Sequence, residues 1–289
     1  MPPPQPRIDL HTHSWCSDGT EPPEEVVRQG ALAGLGTLAL TAHDVVTGWQ
    51  EADRAGQEHG VVVVPGIEVS CSWRGISVHL LAYLPDPLDR ALMDELRRSR
   101  ASRDTRIQVM VSRLRADGYP VSYEEVLATS AQEASLGRPH VADVLVANGR
   151  YPSRKEAFAD VLASSSPYYV SHHAPAPTEA VRLVVEAGGA AVMAHPFASL
   201  RGRVVPDEVV EQMVDAGMIG LEVDHRDHGP DDRRRAEALV RRLGLVRTGS
   251  SDYHGAGKPN RLGENTTTPD QLERLLSAAS GHGLLGASP

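Results

Sequence analysis

RIDLHTHSWCSDG, residues 7–19, joins a short apolar run to two histidines and an aspartate. His11 and His13 are two positions apart, and Asp18 follows five residues after His13. Because residues i and i+2 of a β-strand point the same way, both imidazoles can bind one metal ion. The stretch therefore predicts an opening strand whose carboxyl end carries metal ligands.

Similar apolar runs alternate with amphipathic stretches along most of the chain. Seven candidate strands cover residues 7–13, 36–44, 61–69, 76–84, 190–196, 219–224 and 245–252. Four amphipathic stretches, each opened by proline and closed by glycine, cover residues 23–36, 177–189, 206–217 and 230–244. This β/α repetition favours an α/β fold with parallel strands and helices outside them.

Residues 86–175 interrupt the alternation. Residues 89–117 are typical of one long polar helix, and shorter helical patterns follow at 122–130, 138–148 and 153–163. We therefore expect a barrel built from residues 7–85 and 176–289, with residues 86–175 as a helical insertion that covers the substrate.

Composition limits the class of protein. With 289 residues, 40% of them hydrophobic, the chain can bury one large core. We expect a cytoplasmic protein, because neither an apolar run of about 18 residues nor a secretion leader is visible. Cys16 and Cys71 are too few for a disulfide framework. A net charge of −9 argues against a surface that coats nucleic acid.

Residues able to bind metal recur at the carboxyl ends of the predicted strands. They are His11, His13, His43, Asp44, Glu68, His195, Glu222, Asp252 and His254, and His79 lies within its run. In parallel β/α barrels these strand ends converge on one bowl. Mixed imidazole and carboxylate ligands suit manganese, iron or zinc, and their number indicates two or three ions. Ions about 3.5–4 Å apart can clamp the oxygens of a displacement at phosphorus, so we expect hydrolysis of a phosphate ester.

The motifs DLHTHSWCSDGT, TAHD, PGIEVS, VHLLAY, AHP and SSDYH resemble the PHP (polymerase and histidinol phosphatase) family in order and spacing. The resemblance extends from about residue 7 to residue 263 and implies a distorted (β/α)7 barrel with up to three divalent ions. It is strongest to stand-alone bacterial phosphoesterases, some of which hydrolyse nucleoside monophosphates or 3′,5′-bisphosphates and some of which trim RNA from the 5′ end.

The resemblance also implies which residues hold the ions. One ion would be held by His11, His13, Glu68 and Asp252. A second would be held by Glu68, which bridges, together with His79 and His195. A third would be held by Asp18, His43 and His254. Among these residues, Asp252 and His195 are predicted to be required for catalysis.

The insertion of PHP proteins usually carries a basic residue and a histidine that face the metals. GRPHVADVL, residues 137–145, supplies Arg138 and His140 at these positions. Arg138 would bind substrate phosphate at the start of a helix, where phosphate is favoured. His140, or a water of the metal site, would protonate the leaving oxygen.

The first functional hypothesis is therefore a phosphomonoesterase that acts on a small nucleotide, with no membrane and no obligate protein partner. A 5′-to-3′ exoribonuclease acting on short RNA is the alternative, supported by arginines on one predicted helix, for which a solvated face is the default interpretation. These arginines are Arg97, Arg98, Arg100, Arg103 and Arg106. Histidinol-phosphate phosphatase also remains open.

An amidohydrolase is disfavoured, because Lys155 and Lys258 are the only lysines and neither ends a core strand. A purely structural metal site is disfavoured by its place at a barrel mouth. The roles of four further polar residues stay open, and these are Glu222, Asp224, His225 and His228. No role is assigned to His59, His172, His173 and His282.

Overall fold

Eight strands are found in residues 7–129 and 134–287, the part of the chain that the computed structural model describes. They are β1 (Arg7–Thr12), β2 (Leu35–Leu40), β3 (Val62–Trp73), β4 (Ile76–Tyr83), β5 (Ala190–Met193), β6 (Gly220–Asp224), β7 (Val246–Gly249) and β8 (Leu285–Gly286). The α-helices are α1 (Pro23–Leu32), α2 (Trp49–His59), α3 (Arg90–Ala116), α4 (Tyr123–Ala128), α5 (Arg138–Ala147), α6 (Arg154–Asp160), α7 (Pro177–Glu186), α8 (Asp207–Asp215), α9 (Pro230–Leu243) and α10 (Pro269–Ser277).

Strands β1 to β7 lie side by side in chain order, and β8 pairs with β3. The prediction of an α/β fold with a mostly parallel sheet is confirmed, but the expectation of parallel strands is wrong for β4, which runs antiparallel to both β3 and β5. Only Arg74 and Gly75 connect β3 to β4, and so short a connection can only form a hairpin.

The two faces of the sheet have separate apolar cores. In β2, Leu38 and Leu40 pack with helix residues such as Ala52, whereas Ala39 packs on the opposite face with Leu10 and other strand residues. This follows from the two-residue period of a strand. Because both faces are covered, the strands consist of nearly continuous apolar residues, as expected for parallel sheets.

Helices α3 to α6 lie within residues 86–175 and enclose an apolar cluster of their own, which includes Ile107, Val141 and Leu162. The helix predicted at 89–117 is confirmed as α3. The helix predicted at 122–130 is confirmed as α4, although residue 130 lies outside the described residues. Helices α2 and α10 were not among the predicted elements.

Hydrogen bonds connect β1 to the chain that follows β7. The amide of His13 donates to the carbonyl of Tyr253 at 2.8 Å, and the amide of Thr267 donates to the carbonyl of Ile8 at 2.9 Å. The first and last motifs of the chain are therefore neighbours. In residues 7–129 and 134–287, none of the helices is both long and apolar enough to cross a bilayer.

Candidate metal centre

Several ligand candidates lie just beyond the strands, at positions of unusual backbone conformation. The predicted runs at 190–196 and 245–252 continue past β5 and β7, which end at Met193 and Gly249. Asp44, His195 and Asp252 have positive φ angles of 54°, 29° and 54°. Residues other than glycine adopt such angles at a cost and persist in them mainly at functional sites. The chain therefore turns sharply at these three positions, each of which is a candidate ligand or directly follows one.

Four side chains, which come from β1, β3 and the segments just after β1 and β7, bring their ligand atoms together. His11 Nε2 and His13 Nε2 are 3.0 Å apart. Glu68 Oε2 lies 3.3 and 3.1 Å from these two nitrogens, and Asp252 Oδ1 lies 3.5 and 3.4 Å from them. Ligands 2.1 Å from a tetrahedral ion are about 3.4 Å from one another. These five distances therefore fit a single ion surrounded by the four residues.

Glu68 faces a second group of histidines with its other oxygen. Its Oε1 lies 2.7 Å from His79 Nδ1 and 3.2 Å from His195 Nε2. Its Oε2 lies 3.2 Å from His43 Nε2, in addition to the atoms named above. The two oxygens thus face different histidines, which is the arrangement needed by a carboxylate that bridges two ions.

Asp18 is the centre of a third group. Its Oδ1 lies 3.2 Å from His254 Nε2, and its Oδ2 lies 3.8 Å from His43 Nε2. The loop that carries Asp18 is closed by the amide of Gly19, which donates to the carbonyl of Ser14 at 3.1 Å. A Cβ atom on Gly19 would lie 2.7 Å from the carbonyl oxygen of His13, so this loop requires glycine. All nine predicted ligand residues thus lie in one region of the structure.

Three carboxylates, Asp18, Glu68 and Asp252, share a buried space. Burial would raise the pKa of Glu68, but His43, His79 and His11 outweigh it and hold that pKa well below its usual range. Ionised carboxylates buried together are costly unless a cation compensates them. The donor set therefore fits divalent metal ions.

The pKa values of the histidines are shifted in different directions. Burial, then neighbouring positive charge, lowers the pKa of His195 to about 3 and that of His254 to about 4, which leaves both rings neutral, as ligands must be. Burial also opposes protonation of His11, but Glu68, Glu222 and Asp252 raise its pKa well above the usual value. A bound cation would replace this proton.

Glu222, whose role the sequence left open, holds two of the candidate ligands. His11 Nδ1 donates to Glu222 Oε1 at 3.1 Å, and the amide of His195 donates to Oε2 at 2.7 Å. The hydroxyl of Ser250 also donates to Oε1. With its proton on Nδ1, His11 presents a free lone pair on Nε2, which is the usual arrangement of a metal-bound histidine.

The other three open residues have different surroundings. His225 accepts a hydrogen bond from the amide of Asp227 at Nδ1, so its Nε2 donates to Asp252 Oδ2 at 3.3 Å. His228 donates to the carbonyl of Val223 and so supports the backbone. Asp224 pairs with Arg247 at 2.5 Å, away from the candidate ligands. Glu222 and His225 therefore contact candidate ligands directly.

Sequence reasoning did not identify two cations that contact Asp252. Arg201 Nη2 and Lys258 Nζ lie 2.7 and 3.0 Å from Asp252 Oδ2. They leave Oδ1 facing His11 and His13. The two oxygens of Asp252 are thus divided between cationic side chains and the candidate metal position.

Comparison with known proteins places this arrangement in a family. A PHP domain model matches residues 9–162, more than half of the chain. A 3′,5′-nucleoside bisphosphate phosphatase of Chromobacterium violaceum is 34% identical over 254 residues, which cover 88% of this chain and 89% of that protein. The chain belongs to the PHP family.

Two further similar proteins agree with this assignment. A 5′-3′ exoribonuclease of Haemophilus influenzae is 29% identical over 268 residues, which cover 92% of this chain and 96% of that protein. A solved structure from Bifidobacterium adolescentis, assigned as a metal-dependent phosphoesterase, has a TM-score of 0.92 at 38% identity and covers 96% of this chain and 98% of its own. The predictions of a PHP protein and of a phosphoric ester hydrolase are confirmed.

In this PHP chain, Arg138 and His140 lie at the start of α5. Arg138 Nη1 donates to the carbonyl of Leu162 at 2.7 Å, and its guanidinium lies 5.5 Å from the ring centre of Tyr169. Both ring nitrogens of His140 are engaged, because Nδ1 accepts from the amide of Gly137 at 3.0 Å and Nε2 donates to the carbonyl of Ser17 at 2.7 Å. This geometry does not favour His140 as the proton donor.

The default interpretation of the α3 arginines as a solvated face is wrong for two of them. Arg103 and Arg106 are only 7% and 6% exposed, whereas Arg98 is exposed. Both lie on the stripe of α3 that contains Leu96, Ile107 and other buried residues. The spacing of this stripe by three and four residues was the signal in the sequence that could have revealed their burial.

Proposed function

We propose that this chain is a metal-dependent phosphatase that releases phosphate from nucleotide phosphomonoesters of the AMP or 3′,5′-bisphosphate type. The observation that carries the proposal is the cluster of nine imidazole and carboxylate side chains around the shared Glu68. The relative from Chromobacterium violaceum, similar over nearly its whole length, supports a bisphosphate nucleotide as substrate.

In this proposal, the sheet closes as a distorted (β/α)7 barrel and residues 86–175 form a cap. The ligand assignment follows the three groups described above, with manganese, iron or zinc as the metal and two or three ions bound. The hydrogen bonds that join β1 to the segment after β7 support the closure. The buried carboxylates and neutral imidazoles support the choice of metals.

The chemistry that divalent ions supply at such a site is activation of a water and stabilisation of negative charge on phosphoryl oxygens. The residues of the chain position the groups that take part. Glu68 and Asp252 would supply carboxylate ligands to the metal ions. Glu222 keeps the Nε2 lone pair of His11 free for a metal ion. Arg138 contributes a guanidinium to the substrate phosphate. His140 holds the loop of Asp18 through the carbonyl of Ser17.

The test is phosphate release by manganese-reconstituted protein. The substrates are AMP, adenosine 3′,5′-bisphosphate, histidinol phosphate and a 5′-phosphorylated RNA oligomer. We expect release from a nucleotide, and a loss of at least 100-fold in Asp252→Ala and His195→Ala, because each removes a ligand. Asp215→Ala, at an exposed position that ends α8, is the matched control.

The outcome on RNA separates the two functions that the relatives suggest. Shortening of RNA without release from the small esters would replace the phosphatase with an exoribonuclease. Activity that survives both Ala variants, with folding intact, would contradict the assignment of the site.

A further inference from the structure

Three basic residues of the insertion, Arg103, Arg106 and His172, are defined here as the basic cluster, and Arg103 connects them to Asp44 beside the metal centre. Arg106 Nη1 donates to His172 Nδ1 at 3.1 Å. Arg103 is one turn earlier on the same helix and equally buried. His172 is half-buried, so the cluster reaches solvent on its side.

Arg103 connects this basic cluster to the candidate ligands. Its Nη2 lies 3.1 Å from Asp44 Oδ2 and also donates to the hydroxyl of Ser70. Asp44 directly follows His43, and Ser70 lies opposite His79 in the pairing of β3 with β4. The cluster is therefore adjacent to the metal centre without being part of its ligand set.

Positive charge in the basic cluster exceeds the negative charge available to it. Among the residues that the structure describes, Asp44 is the only carboxylate that forms an ion pair with Arg103, and none does so with Arg106. Burial, then Arg103 and Arg138, lowers the pKa of Arg106 to about 9. Burial, then Arg106, Arg103 and Arg138, lowers the pKa of His172 to about 3. Each positive charge thus disfavours protonation of the neighbouring groups in the cluster.

Among residues 7–129 and 134–287, three nitrogen atoms of the basic cluster are buried without a hydrogen-bond partner. They are Nε of Arg103, Nε of Arg106 and Nε2 of His172. Nδ1 of His172 accepts from Arg106, so the proton of the neutral ring is on Nε2 and this atom is a donor. Buried donors without acceptors, in a region of excess positive charge, are what an anion-binding site requires.

We propose that this basic cluster binds a second phosphate group of the substrate, the one that is not hydrolysed. The inference rests on the proposed function, in which the reacting phosphate occupies the metal centre. In that function, two or three divalent ions would compensate the reacting phosphate, which leaves the guanidinium groups of the basic cluster available to a second anion. The substrate class is then a small nucleotide with two phosphate groups, and the cluster provides the preference for it over a monophosphate.

The test compares substrates with two phosphates and with one. We would measure kcat/KM for adenosine 3′,5′-bisphosphate and for the 3′- and 5′-monophosphates, in wild type, Arg106→Gln and His172→Phe. Removing one charge-assisted hydrogen bond should lower the preference for the bisphosphate by about 10- to 100-fold, mainly through KM. Arg98→Gln, at an exposed position of α3, should leave the preference unchanged. An equal loss on all three substrates, or no loss, would overturn the proposal.

Binding to metal-free protein separates this proposal from the proposed function. Calorimetry with adenosine 3′,5′-bisphosphate on chelator-treated protein should show weaker binding in Arg106→Gln and His172→Phe, whether or not the protein hydrolyses any ester. Wild-type protein that binds the bisphosphate but hydrolyses nothing would contradict only the proposed function. Variants that melt at lower temperature but bind as tightly as wild type would show that the cluster is structural.

Discussion

Glu222→Gln tests how the candidate metal centre is built, because it removes one charge and changes almost no volume. The carboxylate accepts hydrogen bonds from His11 Nδ1, the amide of His195 and the hydroxyl of Ser250. A glutamine amide offers one oxygen and one NH₂ group. Whichever way the amide is oriented, an N–H group of the protein then faces the NH₂ group instead of an acceptor.

The magnitude follows from these contacts. If the NH₂ group faces His11, the proton of the ring moves to Nε2, and the lone pair directed at His13, Glu68 and Asp252 is lost. If the NH₂ group faces His195, it meets the backbone N–H of His195, and two donors then face each other at about the 2.7 Å that now separates this nitrogen from Oε2. Loss of a hydrogen bond to a charged group costs about 1.5–3 kcal/mol. Metal affinity should therefore fall by about 10- to 100-fold, the range typical of changes to residues that orient metal ligands.

The assay is a competition titration of manganese between the stripped protein and a chelator of known affinity. Glu186→Gln, at an exposed position that ends α7, is the matched control and should bind manganese as wild type does. Circular dichroism of the metal-free proteins shows whether each variant is folded. Wild-type affinity in folded Glu222→Gln would refute the argument that Glu222 sets the tautomer of a ligating His11.

Three further perturbations have defined outcomes. Tyr83→Phe should lower the free energy of unfolding in urea by about 1–2 kcal/mol, because the buried carbonyl of Leu10 loses its 2.9 Å hydrogen bond; an unchanged midpoint would contradict this. Gly19→Ala should lower both the melting temperature and manganese affinity, because its Cβ atom would meet the carbonyl of His13 at 2.7 Å; normal affinity would show that the loop adjusts. Chelation should lower the melting temperature, and added manganese should restore it, because ions that bind only the folded state stabilise it; equal melting temperatures with and without metal would argue against an ion among the buried carboxylates.

The sequence predicted elements well where local patterns are strong. The polar helix α3, the amphipathic helices that begin at proline and the apolar strands of the sheet all follow from periodicity within each segment. Helix α2 was missed because its buried face consists of Trp49 and small residues such as Ala52, which give a weak apolar signal. The direction of β4 depends on a two-residue connection, which the apolar runs alone did not reveal.

Residues of the metal centre could be named from the sequence because most of them lie near the carboxyl end of a predicted strand, and because family motifs fix their order. Their supporting residues could not be named in this way. Glu222 was visible as an acid at a strand end, but its contact with His11 joins residues 211 positions apart. Arg201 ends a short 3-10 helix that carries no motif, and only the fold brings it to Asp252.

The sequence by itself determined the fold class, the family and the ligand types, because periodicity and motif order are properties of the chain. Tertiary structure decided which charges face one another. The spacing of apolar residues in α3 indicates the side on which Arg103 and Arg106 lie, but only the packing of α3 places them beside Asp44 and His172. The physical reason is that the burial of a charge, and the cost of leaving it uncompensated, depend on groups distant in sequence, which only the folded chain brings together.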